Sequence, residues 1–133
     1  MGLDTSHGCW HGPYGGFQRW RQELARAAGY RVNEQPSVLR GESYYELPWE
    51  MFEDKNYLGE WDSIPGDDPL MLLLVHSDCD GVIHPQHGVH LADRMEQLLP
   101  LLDPGVYRAR ENTEQFIDGL RKAAVAGEDV EFH

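Results

Sequence analysis

Hydrophobic and polar positions change rhythm several times along this chain. In GPYGGFQRWRQELARAAG (residues 12–29), Phe17, Trp20, Leu24 and Ala27 or Ala28 recur at helical spacing. Pro13 suits the first turn of that helix and Gly29 its stop. QHGVHLADRMEQLLPLL (86–102) predicts a second helix with Ala92, Met95, Leu99 and Leu102 inward, ended or kinked at Pro100. NTEQFIDGLRKAAVAG (112–127) predicts a third, capped by Asn112 or Thr113, with Phe116, Leu120 and Ala124 inward and Gly127 as its stop. LMLLLV (70–75) does not alternate, so it reads as a strand buried on both faces. Residues 2–5 suit an edge strand, DPGVYRAR (103–110) a turn with a short strand, and EDVEFH (128–133) a closing strand.

Residues 30–69 follow no period. They carry Tyr30, Tyr44, Tyr45, Trp49, Phe52, Tyr57 and Trp61 among many acids, with room for a short helix after Pro48. Two readings stand: a long ordered loop pinned to the core by its rings, or an aromatic-lined binding loop. The order of elements predicts one domain over residues 1–133 with an α+β fold, or a small α/β one, in which about three helices pack on a small sheet.

Composition narrows the classes. With 133 residues and 41% hydrophobic content, the chain can bury a core without disulfides and is not a disordered acidic tail. Its 23 acids against 11 bases give a net charge of -12, which argues against non-specific nucleic-acid binding. That charge fits a basic protein partner, mimicry of DNA, or plain solubility. MGLDTSHGCW lacks a basic n-region and an apolar h-region, and LMLLLV is too short to span a bilayer. A cytoplasmic protein without membrane contact is therefore expected. The ring-rich segment 44–61 makes a homodimer unsurprising.

Two loops concentrate metal-ligand chemistry. SHGCWHG (6–12) and HSDCDG (76–81) each place a histidine two or three positions before a cysteine and end in glycine. His7, Cys9, His76 and Cys79 would make a Cys2His2 set, the composition of many structural zinc sites. His11, Asp78, Asp80, His84 and His87 are further donors, and the thiols favour zinc over manganese or iron. Neither pair has the Cys-x2-Cys spacing that marks zinc strongly, and both could be buried polar residues bonded to loop backbone. Asp78 and Asp80 could equally be turn formers around Gly81.

A strand running into His-x-Asp-x-Asp-Gly resembles the first motif of the DHH phosphoesterase superfamily. That resemblance implies His76, Asp78 and Asp80 as catalytic metal ligands. It covers six residues, and the chain has no Asp-His-His triplet. A broader resemblance rests on GLDTSHGCW, GPY-x-x-F-x-RWR and LL-x-HSDCDG-x-I. These signatures resemble a group of small bacteriophage and actinobacterial or other bacterial proteins of no established activity, over about half the chain. It implies origin more than chemistry. An acid would be expected after the glycine, where this chain has Val82.

Three functions follow as expectations. The first is a small phage-type protein that sequesters a nucleotide-like, phosphate-bearing signal in antagonism of host defence. Arg19, Arg21 and Arg40 would meet phosphates and Tyr44, Tyr45 or Trp49 would stack a base, beyond the strand end where HSDCDG lies. The second is a metal-dependent phosphoesterase on His76, Asp78 and Asp80. The third is an acidic interaction protein or DNA mimic that inhibits a host protein.

Overall fold

The computed structural model of the chain describes residues 2–46 and 68–133. The expectations for the helix after Pro48 and for Trp49, Phe52, Tyr57 and Trp61 lie outside the described residues. The rest is an α+β fold: four α-helices and two separate two-stranded sheets among the described residues, in place of one small sheet.

Strand β1 (Gly2–Asp4) pairs antiparallel with β2 (His11–Pro13), with Leu3 opposite Gly12. The turn between them carries the first ligand-rich loop. Pro13 then stands at the N-cap of α1 (Tyr14–Ala27), and Gly29 takes φ +94° just past its end. Proline presets the entry and glycine accepts the left-handed exit, as their backbones dictate. Phe17, Trp20 and Leu24 are buried along one face, as their spacing predicts, while Ala27 and Ala28 are only partly covered.

LMLLLV is not a strand. Met71–Leu74 form a four-residue helix, α2, and Leu70 to Leu74 are all buried. A continuous apolar run has no period that separates a buried strand from a buried helix. Asp68 decides between them. Its carboxylate accepts the Leu70 N–H at 3.0 Å and its carbonyl accepts the Met71 N–H at 3.0 Å, which starts a helical turn. Tyr30 (2.6 Å) and Arg94 (3.0 Å) hold the Asp68 carboxylate in place.

After the HSDCDG loop, β3 (Val82–Ile83) pairs antiparallel with the closing strand β4 (Val130–Glu131). Helix α3 (Pro85–Leu98) buries Leu91, Ala92, Met95 and Leu98 and gives way to a 3-10 turn at Leu99–Leu101 that contains Pro100. Leu102 is buried and Leu99 only partly so. Residues 103–108 form turns, not a strand. Helix α4 (Ala109–Ala126) opens ahead of the expected caps Asn112 and Thr113, from Arg108 at φ +55°. Thr113 is spent inside the helix. Its hydroxyl donates to the Ala109 carbonyl at 2.7 Å and accepts the Trp20 indole N–H at 2.9 Å.

The core is built around rings. Trp10 stacks on Trp20 with centroids 4.9 Å apart, and Phe17, Phe116 and Phe132 pack edge-on or tilted around them. Such offset and edge contacts add to the apolar burial of each ring. The ends of the chain meet beside this cluster: Asp4 and His133 exchange two backbone hydrogen bonds of 3.1 and 2.8 Å.

Helix α4 comes closest to the N-terminal turn at Gly119. A Cβ there would stand 3.0 Å from the His7 carbonyl oxygen and 3.1 Å from Cys9 Cα, and would collide with the Cys9 sulfur. Backbone cannot yield as a side-chain tip can. Gly119→Ala is therefore expected to destabilise the fold by roughly 1–3 kcal/mol, more than the ~1 kcal/mol that alanine restores to a helix. At Gly88, in α3, a Cβ would meet only side-chain atoms at 3.4 Å or more. Urea unfolding of both variants checks this: Gly119→Ala should lose stability and Gly88→Ala should lose less or gain.

Candidate functional site

Arg21 projects from the buried side of α1 and is only 4% exposed. One terminal nitrogen donates to two carbonyls at the end of α2, Leu73 at 3.1 Å and His76 at 2.8 Å. The Tyr45 hydroxyl donates to a third, Leu74, at 2.8 Å. A helix end leaves such carbonyls without partners inside the helix and with partial negative charge. Arg21 and Tyr45 thus close α2 from outside. The guanidinium also lies 4.5 Å over the Phe17 ring.

The charge on Arg21 is not neutralised by this. Among the described residues it forms no ion pair, and its Nε–H is buried without an acceptor. Burial pulls its pKa down, while Tyr45 and Asp78 nearby push it back up. An arginine nonetheless keeps its proton. Burial raises the pKa of Tyr45, so the phenol stays a donor.

The HSDCDG loop leaves this junction. His76 is 3% exposed, with its ring 4.0 Å from that of Phe132. Its Nδ1 faces the Ser77 carbonyl at 2.8 Å and its Nε2 the Val82 carbonyl at 3.1 Å. A neutral imidazole has one N–H for those two acceptors. The imidazolium would satisfy both, but burial lowers the pKa, helped by Arg21, against the pull of the carbonyls and Asp80. The rest of the loop is turn chemistry. The Ser77 hydroxyl accepts the Cys79 N–H at 3.2 Å, Asp80 accepts the Gly81 N–H at 2.8 Å, and Gly81 sits at φ +91°. Asp78 is half-buried, whereas Cys79 and Asp80 are exposed.

The proposed zinc ligands do not gather. Among the described residues no three His, Cys, Asp or Glu side chains stand close enough to hold an ion. Cys9 is fully buried against Gly119, and burial pushes its thiol up to about 12. Cys79 lies on the exposed loop. His7 bonds Ser6 and Glu128, His11 lies 3.5 Å from Asp4, and His84 lies 2.7 Å from Asp129. His87 is half-buried in the first turn of α3. The donor set therefore does not fit a Cys2His2 centre.

The expected phosphate and base contacts separate into pairs. Arg21 and Tyr45 share the α2 junction. Arg19 lies 4.6 Å over the Tyr44 ring and donates to the Glu34 carbonyl at 3.1 Å, nearer the surface. Arg40 is exposed, 4.0 Å from Glu42. Trp49 lies outside the described residues. The warrant from strand ends also falls, since HSDCDG follows a helix. Sequence reasoning missed Asp68, Ser6 and Glu128. Only the Asp-Pro pair at 68–69 carried a readable sign, as a turn that can start a helix.

His76 has a pH signature. Its folded-state pKa is depressed below the ordinary 6.5, so on acidification the unfolded chain binds this proton first. Its contribution is present above that value and is lost as the pH falls below about 6.5 towards the folded-state pKa. Urea unfolding at pH about 7.5 and 5.5 should show wild type losing more stability than His76→Gln over that interval. Comparison with known proteins adds no further constraint: no protein-family model, no curated protein and no solved structure matches this chain.

Proposed function

We propose that this chain binds a small anionic, phosphate-bearing ligand of nucleotide type where α1, Tyr45 and the HSDCDG loop meet. One observation carries the reading: Arg21 is a buried guanidinium with no ion-pair partner among the described residues and with an N–H that has no acceptor. A buried charge in that state is costly, and a phosphate oxygen or carboxylate is the partner that relieves it. Guanidinium suits phosphate because its donors form a planar fork. The half-buried Tyr45 ring beside it offers an apolar surface for the rest of the ligand. In the phage-type setting suggested by the GLDTSH and HSDCDG signatures, tight binding would remove a host signal from circulation.

The other two readings have less to support them. A metal hydrolase needs donors that converge, and none do among the described residues. A DNA mimic needs bare acids in an array. Here Asp93 and Glu96 pair with Arg121, Asp118 with Lys122, Glu23 with Arg26 and Asp68 with Arg94.

Thermal unfolding with cyclic nucleotides, ADP-ribose derivatives and inorganic phosphate tests the proposal. A ligand at a hundred times its dissociation constant should stabilise wild type by about 2.7 kcal/mol. Arg21→Lys keeps the charge but loses the fork, so the shift should shrink strongly while the variant still melts cooperatively. Tyr45→Phe controls for loosening of α2, because it removes a cap without touching the guanidinium. The reading fails if no compound in the panel shifts wild type, or if Arg21→Lys responds as wild type does.

A further inference from the structure

We propose that Ser6, His7 and Glu128 form a serine nucleophile relay able to accept the acyl group of an activated ester. These residues share nothing with the Arg21 junction, and the proposal goes beyond ligand binding. Ser6 and His7 sit in the turn after β1. Glu128 follows Gly127, which takes φ +68° to stop α4. The hydrogen bonds run in one line: Ser6 Oγ lies 2.8 Å from His7 Nδ1, and His7 Nε2 lies 3.2 Å from Glu128 Oε1.

The direction of that line follows from its ends. The Glu128 carboxylate can only accept, so the proton of a neutral His7 ring is on Nε2. Nδ1 is then bare and accepts the Ser6 hydroxyl proton. Ser6 Oγ also accepts the Glu131 backbone N–H at 2.9 Å, which fixes the oxygen while leaving its own proton for the ring. Nucleophile, base and orienting acid thus stand in hydrogen-bond sequence, which is how such triads are recognised whatever their position in a chain. The ring nitrogens exchange their usual parts, with Nδ1 as base and Nε2 bound to the acid.

Two further features fit. His7 holds φ +60°, ψ +14°, a left-handed backbone that costs a non-glycine residue energy and that is enriched at functional sites. Ser6 and His7 are half-buried and Glu128 is exposed, which puts the relay at the surface. The reaction balances without an added oxidant or metal. Ser6 Oγ attacks the ester carbonyl carbon and its proton passes to His7 Nδ1, with Glu128 stabilising the imidazolium. The ester C–O bond breaks, the leaving alcohol takes that proton, and water releases the acid from acyl-Ser6 by the same route.

The test treats folded protein with a fluorophosphonate probe, maps the adduct by mass spectrometry, and follows p-nitrophenyl acetate hydrolysis. Wild type should carry one adduct, on Ser6, and Ser6→Ala none. His7→Gly is the informative variant. Glycine suits the left-handed backbone, so its Tm should be no lower than that of wild type, while labelling and hydrolysis fall about 100-fold. Added imidazole should restore part of the loss, and Glu128→Gln should lie between. A turn that merely staples the chain ends would not respond to imidazole. No adduct on Ser6 of wild type, or equal labelling of His7→Gly, overturns the proposal.

Discussion

A positive charge in the interior organises the middle of this protein. Arg21 reaches from α1 to the carbonyls of Leu73 and His76 and so joins the first long helix to the polar loop of the second half. Burying that guanidinium is expensive in itself. The end of a helix and the Phe17 ring offset part of that cost. The four-residue helix α2 is too short to persist by propensity, because so few turns never recover the cost of nucleation. It exists because Asp68 starts it, Arg21 and Tyr45 finish it, and its leucines have nowhere to go but the core.

The second constraint joins the two ends of the chain. Asp4 pairs with His133, Glu131 donates to Ser6, and Phe132 donates to the Gly81 carbonyl while stacking on His76. The N-terminal turn, the C-terminal strand and the HSDCDG loop therefore lie along one seam. Helix α4 presses on the same turn at Gly119. The seam explains why Cys9 is buried and His7 is turned towards Glu128, two residues that the pattern of donors alone would assign to zinc.

The fold was legible where the chain keeps a period. The stripes in α1, α3 and α4 follow from residue spacing, save that Ala123 and not Ala124 is buried in α4, and Gly29, Pro100 and Gly127 punctuate them as their backbones require. LMLLLV was not legible, because an apolar run buried on every side shows no period and its helical start rests on one aspartate two residues upstream. The start of α4 was hidden for a related reason. Thr113 resembles a cap, yet its hydroxyl is taken by Trp20 and Ala109, and contacts at such separation leave no local trace.

The site was legible only in part. HSDCDG is a polar loop leaving a fully buried segment, as its residues suggest. Which residues face one another was not, since two short loops of similar composition need not converge. The proton state of the Arg21 Nε–H bears most directly on the account. Its exchange with water can be read from arginine side-chain resonances in a 15N-labelled sample, with Arg121 as an exposed comparison. A buried clamp predicts an Arg21 Nε–H that exchanges orders of magnitude more slowly than that of Arg121. Equal exchange rates would contradict the account, because they would mean that the guanidinium is open to solvent and has no need of an anionic partner.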